Sequence, residues 1–403
     1  MVKQYRTISS FAQTSSGGTP SRDCAAYFVG DIPWVTSSEL NDSYIEDTRE
    51  HISELAICNS AAKVFPPHTL LMAMYGATIG KLGILAKSAA TNQACCAIFP
   101  DSSVDTRYLF YCLLSMREKI IDMGCGAGQP NISQDVIKSI EIPICSLTEQ
   151  KNIAEVLDNL DVLIHTIEEG INKKIAIKHG SMQNLLTGKK RLPRFSGEWQ
   201  TFAFGELFDF IPNNAFTRAQ MTNSGKVKNI HYGDILTKYG AYVDGSNDSI
   251  PYISKEVDLS RFADRCYLQS GDIIIADTAE DEAVGKALEV VNVNCPILAG
   301  QHTLMCRPKI KFADKFLGYY LNAACYHDQL LPYIVGTKVS SVSKASVAQT
   351  KLVVPEYEEQ QAIAEFLSNM DSEIDALEHK LAKYRQVKQG LMQQLLTGKI
   401  RLV

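Results

Sequence analysis

The sequence has no apolar run near the ~20 residues that a membrane-spanning helix needs, and its opening, MVKQYRTISSFAQTSSGG, lacks the apolar stretch of a Sec signal. These absences lead to the expectation of a cytoplasmic protein with no membrane partner. The 11 cysteines include no C-x-x-C pair, and Cys95, Cys96, Cys112 and Cys325 sit in apolar runs. This fits buried thiols better than a disulfide framework or a zinc site. The eight histidines show no H-E-x-x-H or other ligand spacing. There is no basic surplus either. The 40 Lys and Arg are outnumbered by 45 Asp and Glu, for a net charge of −5, which argues against a free-standing polyanion binder. What is present is an ordinary globular composition, 45% hydrophobic and 21% charged over 403 residues. At roughly 100–200 residues per domain, that length suggests two or three domains.

Catalytic signatures are missing as well. Gly124-x-Gly126-x-Gly128 resembles a nucleotide-cradling loop, but a helical pattern precedes it and Gln129-Pro130 follows. Such a loop lies between a strand and a helix start. Gly76-x-x-x-Gly80-Lys81 is one residue short of a P-loop and lacks the hydroxyl that holds magnesium, so it reads as a tight hairpin turn. Glu280-Asp281-Glu282 follows a strand without partner carboxylates at nuclease spacing and reads as a solvated turn. Phe65 precedes Pro66-Pro67 where an amino-methyltransferase would carry Asn or Asp. No catalytic residue and no metal ligand is assigned.

The dominant positive feature is an internal repeat. Glu149–Leu192 and Glu359–Leu402 align without a gap at a shift of 210 residues, with about half the positions identical and LLTGK intact in both. In fainter form the register continues upstream, where Gly126 and Ser133 fall on Gly336 and Ser343. The chain therefore reads as two tandem copies of a variable portion followed by a helical arm. In the first arm Ile153, Leu157, Leu160, Ile164, Ile167 and Ile171 alternate steps of four and three. Ile363, Leu367, Met370, Ile374, Leu377 and Leu381 do the same in the second. This is coiled-coil spacing. Ser146 and Glu149 can cap the first arm, and Gly188 and Gly398 stand where each helix should end. Two similar seams in one chain bury each other most simply, and antiparallel pairing gives them a pseudo-twofold axis. The variable portions read as mixed α/β. Thr69–Gly76, Leu82–Leu85 and Asp272–Asp277 are expected as strands, and 107–121 and 316–331 as helices. The expected division is 1–148, 149–193, 194–358 and 359–403.

Several short motifs recur in the same order in both copies. GGTPS with GDIPWV, then IGK (Ile79–Lys81), NQAC (Asn92–Cys95), QPNIS (Gln129–Ser133) and EQKNIAEVLDNLD (Glu149–Asp161) make up the first set. IHYGDI (Ile230–Ile235), VGK (Val284–Lys286), Gln301 and EEQQAIAEFLSNMD (Glu358–Asp371) make up the second. In this order the chain resembles, over essentially its whole length, the specificity subunits of type I restriction–modification systems. That resemblance implies an α+β architecture of two target-recognition domains, 1–148 and 194–358, with twisted sheets, separated by an antiparallel coiled coil of two long helices. It also implies a non-catalytic chain that reads a bipartite, gapped site on double-stranded DNA, with the helices setting the gap. Two modification (adenine methyltransferase) subunits and two restriction subunits would be its partners, with S-adenosylmethionine, ATP and magnesium held by those subunits and no cofactor on this chain.

Base edges are read by Arg, Lys, Asn, Gln, Ser and Thr presented on loops. In the first domain the candidates are Thr78, Lys81, Gln129, Asn131 and Lys138. In the second they are Lys226, Lys228, Tyr232, Lys238, Lys338, Ser340 and Ser341, with Tyr239 as a stacking or phosphate contact. Lys81, Lys286, Gln93 and Gln301 belong to motifs shared by the two copies and are expected to serve as scaffold or phosphate groups. Each domain carries three more acidic than basic residues, so weak DNA binding by the isolated chain is expected. Two other readings are a scaffold that uses its coiled coil without DNA readout, and an enzyme acting on DNA itself.

Overall fold

The computed structural model describes residues 4–124, 131–280, 283–336 and 339–402. Its contacts divide it into two units, Met1–Glu168 with His379–Val403, and Glu169–Glu378. This cut runs through the arms instead of between arm and domain, because each domain holds the start of one long helix and the end of the other. The helices are Leu147–Leu185 and Tyr357–Leu395, 39 residues each. The hydroxyl of Ser146 accepts the Glu149 amide at 3.3 Å at the start of the first. Beyond the ends, Gly188 (φ 68°) and Gly398 (φ 74°) take the left-handed conformation that suits glycine. There the amide of Lys190 folds back onto the Asn184 carbonyl, and that of Ile400 onto Gln394, both at 3.2 Å.

Ion pairs within each unit fix the helix direction as antiparallel. In the first unit Arg401 forks onto Glu149, Lys388 meets Asp161 and Arg385 meets Glu168. In the second, Arg191 forks onto Glu359, Lys178 meets Asp371 and Lys174 meets Glu373. The shift of 210 converts the Arg191–Glu359 pair into Arg401–Glu149 and Lys178–Asp371 into Lys388–Asp161, so the repeat in sequence is a repeat of contacts. Ile153, Leu157, Ile164, Ile167, Ile171, Ile363, Leu367 and Ile374 are buried, while Leu160, Met370, Leu377 and Leu381 are half-buried. The first members of each seam also enter the domain cores. Ile153 and Leu157 cluster with Leu395, Leu396 and the first domain, and Ile363 and Leu367 with Leu185, Leu186 and the second. A glutamine early in each helix ties arm to domain: Gln150 accepts the Asp105 amide and donates to the Cys145 carbonyl, and Gln360 does the same with Ala313 and Pro355.

The two domains share a topology that their sequences barely show. In the first, five strands lie in the order Ala12–Ser16, Cys95–Pro100, Leu70–Ala73, Leu82–Leu85, Ser43–Ile45; the last pair is parallel and the others antiparallel. In the second the order is Phe208–Ile211, Thr303–Pro308, Ile273–Ala276, Ala287–Val291, Tyr242–Asp244, again with only the last pair parallel. A second sheet in each contains another parallel pair, Trp34–Val35 with Ala90–Thr91 and Lys228–Ile230 with Ile297–Ala299. A two-stranded ribbon, Gln4–Thr7 with Glu141–Ile144 or Gln200–Ala203 with Lys351–Val354, closes each domain where its arm departs.

Both faces of the five-stranded sheets are covered. Leu70, Met72 and Ile84 enter a core with the arm, whereas Leu71, Ala73 and Leu85 face Val35, Leu40 and Phe65. That is why these strands read as unbroken apolar runs. Cys95, Cys96 and Cys112 are buried, and burial pushes the Cys95 and Cys96 thiols up to about 12. The expected helices are each broken, into Thr106–Ser115 and Arg117–Asp122 in the first domain and Phe316–Leu321 and Ala324–His327 in the second. Among the described residues no helix is long and apolar enough to cross a membrane.

One carboxyl makes stability depend on pH. Glu289, 1% exposed, accepts the amides of Lys315 (2.6 Å) and Gly318 (2.8 Å) at the start of the short helix, and burial pushes it up to about 7. A folded value above the unfolded one means that its contribution is full in acid and is lost as pH rises through about 7, at most about 3 kcal/mol. Urea unfolding at pH 5 and pH 8 should show this loss in the native chain and a flatter dependence in Glu289→Gln. Equal pH dependence in the two would refute the assignment.

Candidate nucleic-acid interface

Four segments meet in each domain through the same backbone bonds. In the first domain the Asn92 amide donates to the Val35 carbonyl (2.9 Å), Met74 to Ala94 (2.8 Å) and Ile132 to Met74 (2.9 Å). In the second, Gly300 donates to Ile230 (2.8 Å), Asp277 to His302 (3.2 Å) and Val342 to Asp277 (2.9 Å). Tyr75 bridges to Asn131 just as Thr278 pairs with Ser341. The turn after the smaller sheet's strand is closed by a capping box in both, Thr36 with Glu39 and His231 with Asp234. The helix that follows the returning loop starts on a serine in both, with Ser133 accepting the Val136 amide and Ser343 that of Ser346. The result is one frame built twice.

The side chains mounted on the frame differ. Ser37, Tyr75, Ala94 and Asn131 in the first domain stand where the second has Tyr232, Thr278, His302 and Ser341. Gln93 and Gln301 are common to both. Tyr75 is 46% exposed and Asn131 and His302 are exposed. In the second domain the groups form a polar cluster. The Thr278 hydroxyl lies 3.4 Å from His302 Nδ1, Gln301 Nε2 lies 3.3 Å from His302 Nε2, and the Tyr232 ring meets His302 edge-on at 5.3 Å. Tyr232 also packs against His231 at 4.5 Å, and burial followed by the nearby Arg218 holds that imidazole below its ordinary value. The sequence reading had passed over Tyr75, Thr278 and His302. Of the three only His302 adjoins a residue shared by the two copies, Gln301; Tyr75 and Thr278 carry no signal in the sequence.

The structure brings some of the expected contacts to this frame and removes others. Thr78 sits in the turn after Tyr75 and bonds its carbonyl (3.4 Å), with Lys81 half-buried at the turn's end and Asn131 beside it. Tyr232, Ser340 and Ser341 belong to the second frame. Lys226 is exposed on a loop, Lys238 is exposed but bonds the Ser249 carbonyl, and Lys138 is half-buried and paired with Asp135 at 3.3 Å. Two expectations are corrected. Lys228 is 3% exposed, with its ammonium tied to the carbonyls of Gly245 and Asn247, both at 3.0 Å, and Tyr239 is 8% exposed within an apolar cluster. Both are interior supports, because a strand lysine and a neighbouring phenol were turned inward by a fold that closes over them. The shared Lys286 is likewise spent on the carbonyls of Leu236 and Tyr239. Gln129 and Lys338 lie outside the described residues.

With this geometry established, the chain can be compared with known proteins. Residues 3–176 and 196–386 match the model of the type I restriction modification DNA specificity domain. The specificity subunit of the type I restriction enzyme MjaVIII from Methanocaldococcus jannaschii is 26% identical over 341 residues, spanning 80% of this chain and 76% of that one. A solved S subunit of a type I system from M. genitalium superposes with a TM-score of 0.61 at 15% identity, covering 98% of this chain and 99% of that chain. A chain solved in a study of complex assembly and conformational transition of a type I system gives 0.55 at 14% identity, covering 98% of each.

Proposed function

Since the chain belongs to the type I restriction modification DNA specificity family, we propose that each of its domains reads one half of a two-part site on double-stranded DNA. The observation that carries this reading is the duplicated frame, alike in backbone and unlike in side chains. Two readers of different words need a common geometry and different functional groups.

The arms then serve two purposes. They set the gap between half-sites, and their likeness suits two identical partners, namely two modification subunits, with two restriction subunits completing the assembly. The chain contributes recognition and no catalysis, so S-adenosylmethionine, ATP and magnesium belong to the partners. Both domains are net acidic, so much of the phosphate affinity comes from those subunits.

The test is modification mapping of genomic DNA from cells that express this chain with its methyltransferase subunit, against cells lacking only this chain. The expected outcome is a gapped, two-part N6-methyladenine motif that appears only with the chain. No such motif, although the complex forms and the methyltransferase is competent, leaves a scaffold and removes the DNA reading.

A further inference from the structure

We propose that the residues determining specificity are those at the unlike positions of the shared frame. They are His302, Tyr232, Thr278 and Ser341 for one half-site, and Ala94, Ser37, Tyr75 and Asn131 at the matching places for the other. This inference deepens the two-part reading above and rests on it.

The argument begins with what the frame holds fixed. Three equivalent backbone hydrogen bonds per domain place the four segments alike, so the residues mounted on them occupy corresponding places in the two domains. Gln93 and Gln301, identical in the two copies, cannot distinguish two words and suit a contact common to both halves. The neighbouring position can distinguish them, because it is Ala94 in one copy and His302 in the other.

The backbone and neighbours of His302 fit a reading role. Its φ is +56°, a left-handed conformation uncommon for a residue other than glycine. The His302 carbonyl accepts the Asp277 amide and the side chain is exposed; Ala94, whose carbonyl accepts the equivalent bond, is not left-handed. The His302 ring is held at Nδ1, at Nε2, where Gln301 Nε2 lies 3.3 Å away, and by an aromatic neighbour. Asp277 lies 3.6 Å from Nδ1, the Thr278 hydroxyl 3.4 Å from the same atom, and Tyr232 lies edge-on. The Thr278 hydroxyl donates its proton to Asp277 at 2.8 Å, so it offers a base edge an acceptor; the imidazole presents a polar edge shared with Gln301, and a phenol ring beside them offers an apolar surface to a thymine methyl. In the other domain Ala94 presents only a methyl group, and the exposed group beside it is Tyr75, so a different edge is selected.

The experiment uses the whole chain in complex with its methyltransferase subunit. The complete methylation motif is mapped for the native chain and for His302→Ala, which copies the residue at the matching place of the first domain. The expected result is relaxation or change at one or more positions of one half-site only, with discrimination there falling about tenfold or more. Tyr75→Ala should act on the other half-site alone. The Gln93 side chain bonds Thr19 and, among the described residues, none of the proposed reading residues, so Gln93→Ala should lower methylation without altering either word. Should His302→Ala fail to assemble, His302→Asn keeps a side chain tolerant of the left-handed backbone and serves in its place. An assembled variant that keeps both words unchanged, or alters both, overturns the proposal. A native complex that yields no two-part motif overturns the underlying reading instead, and the inference with it.

Discussion

Glu359→Ala is expected to destabilise the second unit by about 2–4 kcal/mol, several times more than an exposed ion pair would cost. Glu359 is 1% exposed, and its carboxylate accepts a fork of two bonds from Arg191 and a third from the Trp199 indole at 3.2 Å. The guanidinium also donates to the Gly197 carbonyl at 3.1 Å and lies 5.4 Å from the Trp199 ring. Removing the carboxylate leaves a partly desolvated cation, 24% exposed, and a half-buried indole N–H without their shared acceptor. The equivalent Glu149 is 4% exposed, but Arg401, its partner, has half its side chain in solvent. Water can then take over more of the lost bonds, so Glu149→Ala should cost less, about 1–2 kcal/mol. Denaturant unfolding of the two variants, with hydrogen exchange around 185–199 to localise the loss, checks both. Equal effects, or a Glu359→Ala effect below about 0.5 kcal/mol, would mean that the clamp contributes nothing special.

The seams were legible because Ile153 to Ile171 and Ile363 to Leu381 follow helical spacing, and duplication made an antiparallel pairing the simplest way for each to bury the other. The strands were legible because two-sided burial leaves unbroken apolar runs such as Leu70–Ala73 and Ile273–Ala276. The frame was not, since its defining bonds join backbone atoms up to about 70 residues apart, for instance Gly300 to Ile230, and backbone bonds leave no residue-type signal. The rule that basic residues on loops read DNA failed at Lys228 for a related reason. Where its side chain points depends on which loop crosses the strand end, and here the carbonyls of Gly245 and Asn247 receive it. His302 was overlooked because a single histidine beside a shared glutamine has neither periodicity nor partner spacing. Only comparison of the two copies in three dimensions gives it a counterpart, Ala94.

Replacing residues 1–148 with the corresponding domain of a relative should change one half of the methylated motif completely and leave the other half intact. The physical basis is that the domain meets its arms through an apolar cluster, which other apolar side chains can refill, and through polar contacts made largely to backbone groups. The ribbon of Gln4–Thr7 with Glu141–Ile144 closes inside the exchanged segment, and Gln150 on the retained arm binds mainly backbone groups, the Asp105 amide and the Cys145 carbonyl. Backbone groups survive any change of side chain. The side-chain demands are narrower. The Tyr111 hydroxyl lies 2.8 Å from carboxylate oxygens of both Asp158 and Asp161 and shares its one proton between them, and Arg107 reaches Asp158 at 2.9 Å. The second domain meets the same need with Tyr319 on Asp371. A donor domain with a tyrosine at that place should therefore seat on the arm, and one without it should assemble poorly, losing on the order of 1.5–3 kcal/mol for a hydrogen bond to a charged group. Mapping the motifs of both chimaeras reads the outcome directly. Change confined to one half supports independent readers, whereas change in both halves would mean that the domains do not read separately, and assembly without any change would locate recognition elsewhere in the complex.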